Sequence, residues 1–323
     1  MIQIKIETEA ETGFKWAAVF PGQGSQSVGM LADFADEPVM QYACQLASDQ
    51  LGYDVWQLMS EGPEARLNQT EFTQPALLTA DVVMWEYLRE KNLPAPVVLA
   101  GHSLGEFSAL VCTGAMIFVD AIQLVAERGR LMQAAVPMGE GGMGAILGLD
   151  NVDIEAICHE VADVEPANFN SIGQTVVAGK KASVQAALKL AIERGAKKAV
   201  LLPMSVPSHC QLMQPAADRL KDYLANIILY PPAIPVLHNY DVKPHADPHA
   251  IREVLVRQLT SPVRWVETIQ AIADAGVEVI VEIGPGKVLQ GLNKRINKNI
   301  EYFSTNTQEA VQSVIERMKD YVN

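Results

Sequence analysis

Val97-Val98-Leu99-Ala100-Gly101-His102-Ser103-Leu104-Gly105-Glu106-Phe107-Ser108-Ala109-Leu110-Val111-Cys112 decides the fold. The apolar run Val97 to Ala100 reads as a buried strand, and Glu106 to Cys112 reads as a helix. Between them stands G-x-S-x-G, the pattern of a nucleophile elbow in an α/β layer arrangement. Glycines on either side of the serine remove Cβ atoms, so the chain can turn sharply and present Ser103 Oγ at the strand's C-terminal end. The helix that starts there aims backbone N–H groups at any oxyanion formed when Ser103 attacks a carbonyl. The same five residues also fit an ordinary glycine-bounded turn with an incidental serine.

Upstream, Trp16 to Phe20 reads as a second buried strand, stopped by the turn-rich loop Pro21-Gly22-Gln23-Gly24-Ser25-Gln26. The two glycines around Gln23 let the backbone come close to another group. Helical periodicity follows over Glu37–Leu51 and Gln74–Lys91, and Asn92-Leu93-Pro94-Ala95-Pro96 then delivers the chain to the elbow strand. Strand, helices, strand, helix implies parallel pairing. Met138 to Gly144 contains a formal G-x-G-x-x-G. It follows a helix and precedes a strand, the reverse of a dinucleotide site, and reads as a flexible hinge.

The next stretch changes character. Strand 145–149, helix 152–162, strands 164–169 and 174–178, helix 181–194 and strand 197–203 make a βαββαβ order, the ferredoxin-like pattern. The expected fold is therefore α/β: a hydrolase-like large domain with a mainly parallel sheet and helices, plus an inserted ferredoxin-like small domain. The boundaries read as 14–138 and 205–323 for the large catalytic domain, 139–204 for the small one and 1–13 for an N-terminal extension.

Three further residues stand out. Arg128, on the helix 119–135, falls three or four residues from Leu124, Val125, Leu131 and Met132, on the apolar stripe. A guanidinium facing inward needs an anion, either a carboxylate of the same chain or one on a substrate. Gln258 lies three residues after Leu255 and four after Val254, again on an apolar stripe, and a buried amide needs partners. His209 follows a chain break and precedes an amphipathic helix marked by Leu212, Ala216, Leu220 and Leu224, so it is a candidate base for Ser103. His102 should point away from the Ser103 side chain. His238 ends a strand over 234–237, and His245 and His249 read as solvated loop residues.

Composition narrows the function classes. The 323 residues carry 25 Lys and Arg against 38 Asp and Glu, a formal charge of −13. That argues against nucleic-acid binding and against adsorption to anionic membranes. The four cysteines, at 44, 112, 158 and 210, have no metal-site or disulfide spacing. With neither a signal-peptide pattern nor an apolar span of membrane length, a cytoplasmic protein is expected.

Taken together, PGQGSQ at 21–26, GHSLGE at 101–106, ERGRLM at 127–132, SVPSHC at 205–210, VRQL at 256–259 and EIGPGKVLQGL at 282–292 closely resemble the malonyl-CoA:acyl carrier protein transacylases of fatty-acid synthesis, relatives of polyketide acyltransferase domains. The resemblance runs from about Phe14 to Arg295. It implies that Ser103 forms an acyl ester, that His209 is the general base, and that Arg128 holds the malonyl carboxylate through a bidentate pair. It implies an oxyanion hole from the Gln23 and Leu104 N–H groups, and a site-lining role for Gln258. It further implies a histidine oriented by a main-chain carbonyl, ping-pong transfer from malonyl-CoA to acyl carrier protein, and no metal or other cofactor. A monomer is expected. Because such carrier proteins are acidic, the basic cluster Lys287, Lys294, Arg295 and Lys298 is a candidate docking face; a solvated helix face fits it as well. A serine hydrolase using the same Ser–His pair is the alternative activity, and a non-enzymatic scaffold the alternative class.

Overall fold

The computed structural model describes residues 13–204 and 206–322, so most of the N-terminal extension and Ser205 of the SVPSHC motif lie outside the described residues. Five parallel strands form the larger sheet: β1 (Trp16–Phe20), β2 (Val98–Gly101), β7 (Val236–Leu237), β8 (Val279–Glu282) and β9 (Glu301–Ser304). Their order is β7-β2-β1-β8-β9, so β1 and β2 are interior neighbours, with Phe20 opposite Gly101. All the residues of β1, β2, β7 and β8 are buried, as a sheet covered on both faces requires. One face packs on the helices Pro38–Leu51, Thr70–Arg89 and Phe118–Ala135; the other packs on Trp265–Asp274 and Val288–Ile296.

The second sheet is antiparallel: β3 (Gly141–Leu147), β4 (Val164–Ser171), β5 (Gln174–Lys180) and β6 (Lys198–Leu201), in the order β4-β5-β3-β6. With the helices Asn151–Glu160 and Lys181–Glu193 on one face, this is the ferredoxin-like arrangement read from the sequence. Its core is separate from those of the parallel sheet. A backbone exchange ties the two parts together: Phe169 N–H donates to Val263 O, and Val263 N–H donates to Ala167 O, each at 2.9 Å.

Three expectations change. Gly141, Gly142 and Gly144 form the first half of β3 instead of a hinge; the helix Lys181–Glu193 lies so close that a Cβ at 144 would sit 2.8 Å from Leu188. The strand expected over 234–237 shrinks to two residues because Pro235 has no N–H for the ladder, although its carbonyl still accepts from Leu99 N–H. The helix expected from Gln74 starts at Thr70 and carries Pro75 inside it.

Glu282, at the end of β8, is buried and accepts the N–H groups of Leu289 (3.1 Å) and Gln290 (2.7 Å) at the start of the helix 288–296. Burial raises its pKa from 4.5 to about 7 despite those bonds. A carboxyl whose folded pKa is raised is most stabilising in its neutral form, so its contribution is lost as pH rises from about 4.5 through 7. Between pH 5 and 8 this should remove about 2–3 kcal/mol. Urea denaturation of the parent and Glu282→Gln at both pH values should show the parent's advantage shrinking by that amount; a constant difference would count against a neutral Glu282.

Candidate active site

The loops at the C-terminal ends of β1 and β2 meet at Ser103. Gly101 and Gly105 close the elbow: a Cβ on Gly101 would overlap the Gly105 peptide, and one on Gly105 would overlap the Phe20 carbonyl of the neighbouring strand. Ser103 itself sits at φ 53°, the left-handed region a serine seldom adopts. The loop after β1 lies against this turn. A Cβ on Gly22 would run into the His102 carbonyl, which identifies the close approach that the glycine-rich loop was read to make.

His209, also left-handed at φ 62°, places Nε2 2.8 Å from Ser103 Oγ. Its Nδ1 lies 2.8 Å from the main-chain carbonyl of Gln258. A carbonyl only accepts, so Nδ1 carries the proton and Nε2 is left to accept from the serine hydroxyl. Burial, reinforced by the Arg128 charge, lowers the imidazole pKa from 6.5 to about 3. The ring is therefore neutral and able to take a proton across the physiological range.

Arg128 is only 1 % exposed. Nη1 donates to Gln74 Oε1 at 2.8 Å, and Nη2 donates to Gln258 Oε1 at 2.9 Å and to Ser103 Oγ at 3.2 Å. Nε has no partner among the described residues, and the guanidinium lies over the Phe107 ring at 5.3 Å. Every bonded partner is neutral. Burial lowers its pKa to about 10, opposed by the more distant Glu106 carboxylate, so the group stays cationic at neutral pH. The inward guanidinium inferred from helical spacing is present, and the internal carboxylate that would have satisfied it directly is not among its partners.

Gln258 is 1 % exposed. Its Nε2 donates to Ser103 O at 3.0 Å and to Glu106 Oε2 at 2.9 Å, and its Oε1 accepts from Arg128. The backbone N–H groups of Gln23 and Leu104 form no backbone hydrogen bond among the described residues, which leaves both free to donate. The Gln23 side chain reaches Thr70 Oγ1 at 3.4 Å. Thus Ser103, His209, Arg128 and Gln258 are joined by hydrogen bonds, and Leu104 follows Ser103 at the helix entrance.

Gln74, Glu106, His238 and Asn239 escaped the sequence reading as parts of this site. Gln74 lies on the buried face of its helix with Leu77, Leu78 and Asp81, so the stripe argument that found Arg128 could have found it. Glu106, fully buried, accepts from His238 Nδ1 at 2.7 Å and Asn239 N–H at 2.8 Å. Asn239 sits in a turn, where periodicity carries no signal. His102 does point elsewhere, to Asn170 on β4, with Nε2 to Oδ1 at 2.8 Å. His245, read as solvated, is half-buried against His238 and lies 2.8 Å from Asp241; His249 is exposed, but on the helix 248–258. Among the described residues, no group of three or more His, Cys, Asp or Glu side chains is placed to hold a metal ion, and no helix is long and apolar enough to cross a membrane.

With the His209 imidazole neutral at pKa about 3, any acylation of Ser103 that uses it as base should stay flat from pH 8 down to 5 in rapid-quench kinetics. An acid limb with its midpoint near the ordinary 6.5 would contradict the buried, Arg128-repelled imidazole.

An acyl transferase domain matches residues 18–320. The chain is 50% identical over 305 residues to the malonyl CoA-acyl carrier protein transacylase of Salmonella typhimurium, covering 93% of this chain and 99% of that one. It is 53% identical over 307 residues to the Haemophilus influenzae transacylase, covering 94% and 98%. Among solved structures, the Coxiella burnetii transacylase superposes with a TM-score of 0.93 at 50% identity, covering 94% and 98%. A type II polyketide malonyl-transacylase, solved in complex with its acyl carrier protein, superposes with a TM-score of 0.93 at 51% identity, covering 94% and 99%. On this identity and coverage the chain belongs to the acyl transferase family, as an acyltransferase of the malonyl-CoA:acyl carrier protein transacylase group.

Proposed function

We propose that this chain transfers malonyl from malonyl-CoA to the phosphopantetheine thiol of an acyl carrier protein through an ester on Ser103, supplying malonyl units for fatty-acid synthesis. The observation that carries the substrate assignment is the buried Arg128 guanidinium, bonded only to neutral groups and 3.2 Å from Ser103 Oγ. Malonyl has one methylene between its carboxylate and its thioester carbonyl. A cation beside the nucleophile therefore suits an acyl group whose negative charge lies close to the reacting carbon.

In this reading the carboxylate pairs with the guanidinium and takes over the donor that otherwise bonds to Ser103 Oγ. Ser103 attacks the thioester carbon while His209 Nε2 accepts the hydroxyl proton. The Gln23 and Leu104 N–H groups receive the oxyanion. Its collapse breaks the C–S bond, and His209 returns the proton to the departing CoA sulfur. The carrier thiol then gives its proton to His209 and attacks the ester, and Ser103 leaves as the hydroxyl. Base catalysis of this kind contributes about 10²–10⁴-fold, and each oxyanion donor about 10²–10³-fold. Every proton and charge in the cycle is handled by the groups named, so the reading needs no metal or other cofactor.

The carrier-bound transacylase at 51% identity supports a carrier protein as acceptor. We place its docking at the basic residues Lys287, Lys294, Arg295 and Lys298. Arg295 already donates to Gln174 Oε1 on β5 at 2.8 Å, so Lys294 and Lys298 are the cleaner probes. We also take 14–138 with 205–323 as the catalytic unit, 139–204 as the small unit, and the monomer as the working form in the cytoplasm.

Intact mass after brief mixing with malonyl-CoA should show one malonyl adduct, absent in Ser103→Ala and discharged faster by holo carrier protein than by buffer. Free CoA without an adduct would point to a hydrolase. Arg128→Ala should lose malonyl acylation by at least about 10²-fold while sparing acetyl; equal loss of both would make the arginine structural. Reversing Lys294 and Lys298 to Glu should slow discharge by carrier protein severalfold and leave acylation by malonyl-CoA unchanged; unchanged discharge would leave them a solvated face.

A further inference from the structure

The elbow leaves two backbone groups that strand pairing cannot serve. His102 N–H still continues the ladder to Phe20 O, at 2.9 Å. On either side of it, Gly101 O and Ser103 N–H have turned out of the sheet. Both meet the carboxamide of Asn239: Nδ2 donates to Gly101 O at 2.6 Å, and Oδ1 accepts from Ser103 N–H at 2.7 Å. Asn239 is 1 % exposed and stands two residues beyond the end of β7, and its own N–H donates to the buried Glu106. A carbonyl facing one side and an N–H facing the other dictate which end of the amide points where, so a single orientation satisfies both.

We propose that Asn239 is a positioning residue for acyl transfer, its carboxamide holding Ser103 in the left-handed conformation that aims Oγ at His209. The proposal rests on Ser103 being the nucleophile. Gln258 fixes the carbonyl of Ser103 and Asn239 fixes its N–H, so the strained residue is held from both ends. Because the Ser103 N–H is taken by Asn239, it is withheld from the oxyanion, which is left to the N–H of Leu104 and that of Gln23. A small rotation of the Ser103 peptide would move Oγ off the imidazole, and displacements of that order cost an oriented reaction about 10²-fold.

Two substitutions separate positioning from mere packing. Asn239→Ala removes both bonds. Asn239→Asp keeps the shape, and one oxygen can still accept from Ser103 N–H, but the other faces Gly101 O and fits only when protonated. Burial and the neighbouring Glu106 carboxylate favour that proton; Arg128, reached through Gln258, and His238 and His209, if charged, oppose it. Acylation of the full-length chain by malonyl-CoA is followed by rapid quench and intact mass from pH 5.5 to 8.5, with thermal melts of each variant. Asn239→Ala should acylate about 10²-fold more slowly with less than about a threefold change in KM. Asn239→Asp should approach the parent rate at pH 5.5 and fall toward the Ala variant by pH 8.5, a limb absent from the parent. Parent-like rates in the Ala variant would overturn the proposal. So would an Asp variant whose profile parallels the parent's, or one that fails to fold at pH 5.5, where both hydrogen bonds can form. If the Ala variant does not fold, the Asp profile decides alone. A parent that forms no adduct would instead remove the Ser103 reading on which the proposal stands.

Discussion

The buried Gln258 is the joint on which the site depends. Its main-chain carbonyl fixes the His209 tautomer, its amide nitrogen holds the Ser103 carbonyl, and its amide oxygen accepts from Arg128. One residue thereby sets three relations: His209 to Ser103, Ser103 to the backbone, and Arg128 to Ser103. The second bond from the amide nitrogen, to Glu106, keeps that amide from flipping, because a flipped amide would turn its oxygen on a carboxylate and its N–H groups on a guanidinium. Glu106 is in turn held by His238 and by the Asn239 backbone. Around the Gln258 amide every donor meets an acceptor, the condition under which buried polar groups rigidify a structure, while Arg128 Nε and His238 Nε2 at the edges of the network have no partner among the described residues.

That rigidity supports two residues in unfavourable backbone conformations. Ser103 and His209 both lie at positive φ, and such strain persists only where the surroundings over-determine it. The serine is anchored to the parallel sheet through β2. The histidine's neighbour Cys210 is anchored elsewhere: its side chain is buried with Met143, Ala145, Val176 and Ala178 of the antiparallel sheet, and its thiol donates to Pro207 O at 3.1 Å. Ser103 and the residue after His209 therefore pack against different sheets, while Val206 and Met213 on either side of His209 belong to the core of the parallel one. The backbone exchange between β4 and Val263 and the His102–Asn170 bond join the two parts of the molecule beside the 2.8 Å contact between His209 and Ser103.

The parts of this arrangement carried by regular elements were legible in the sequence. The elbow announced itself because its glycines are sterically compulsory, and the βαββαβ order because each of its elements is long enough to show a period. Arg128 and Gln258 were visible as polar residues on apolar stripes, which is a statement about helical geometry alone. What stayed hidden lies where the chain has no period. Asn239 and His238 sit in a turn beyond a two-residue strand, and Glu106 looked like an ordinary acidic residue in the first turn of a helix. His209 could be nominated but not placed, because its distance from Ser103 is set by 106 residues of intervening fold. The glycines of β3 misled for a different reason: a run that looks flexible in isolation is close packing once a helix lies on it.

The charge of Arg128 shows how such a site can prefer one acyl group. Burying a cation is costly, and a neighbouring carboxylate would be the ordinary remedy. Here the nearest help, Glu106, acts through the Gln258 amide, and the groups touching the guanidinium are neutral. An incoming carboxylate would then displace weak partners and meet a desolvated, oriented cation. Had Arg128 been paired directly, the same carboxylate would have had to break an ion pair to enter, and the preference would have largely cancelled. A neutral acyl group offers the guanidinium nothing and leaves its Nη2 donating to Ser103 Oγ, where it favours loss of the hydroxyl proton but occupies a lone pair that attack would use. On the proposed reading, therefore, the charge that recognises malonyl also restrains the nucleophile until malonyl is there.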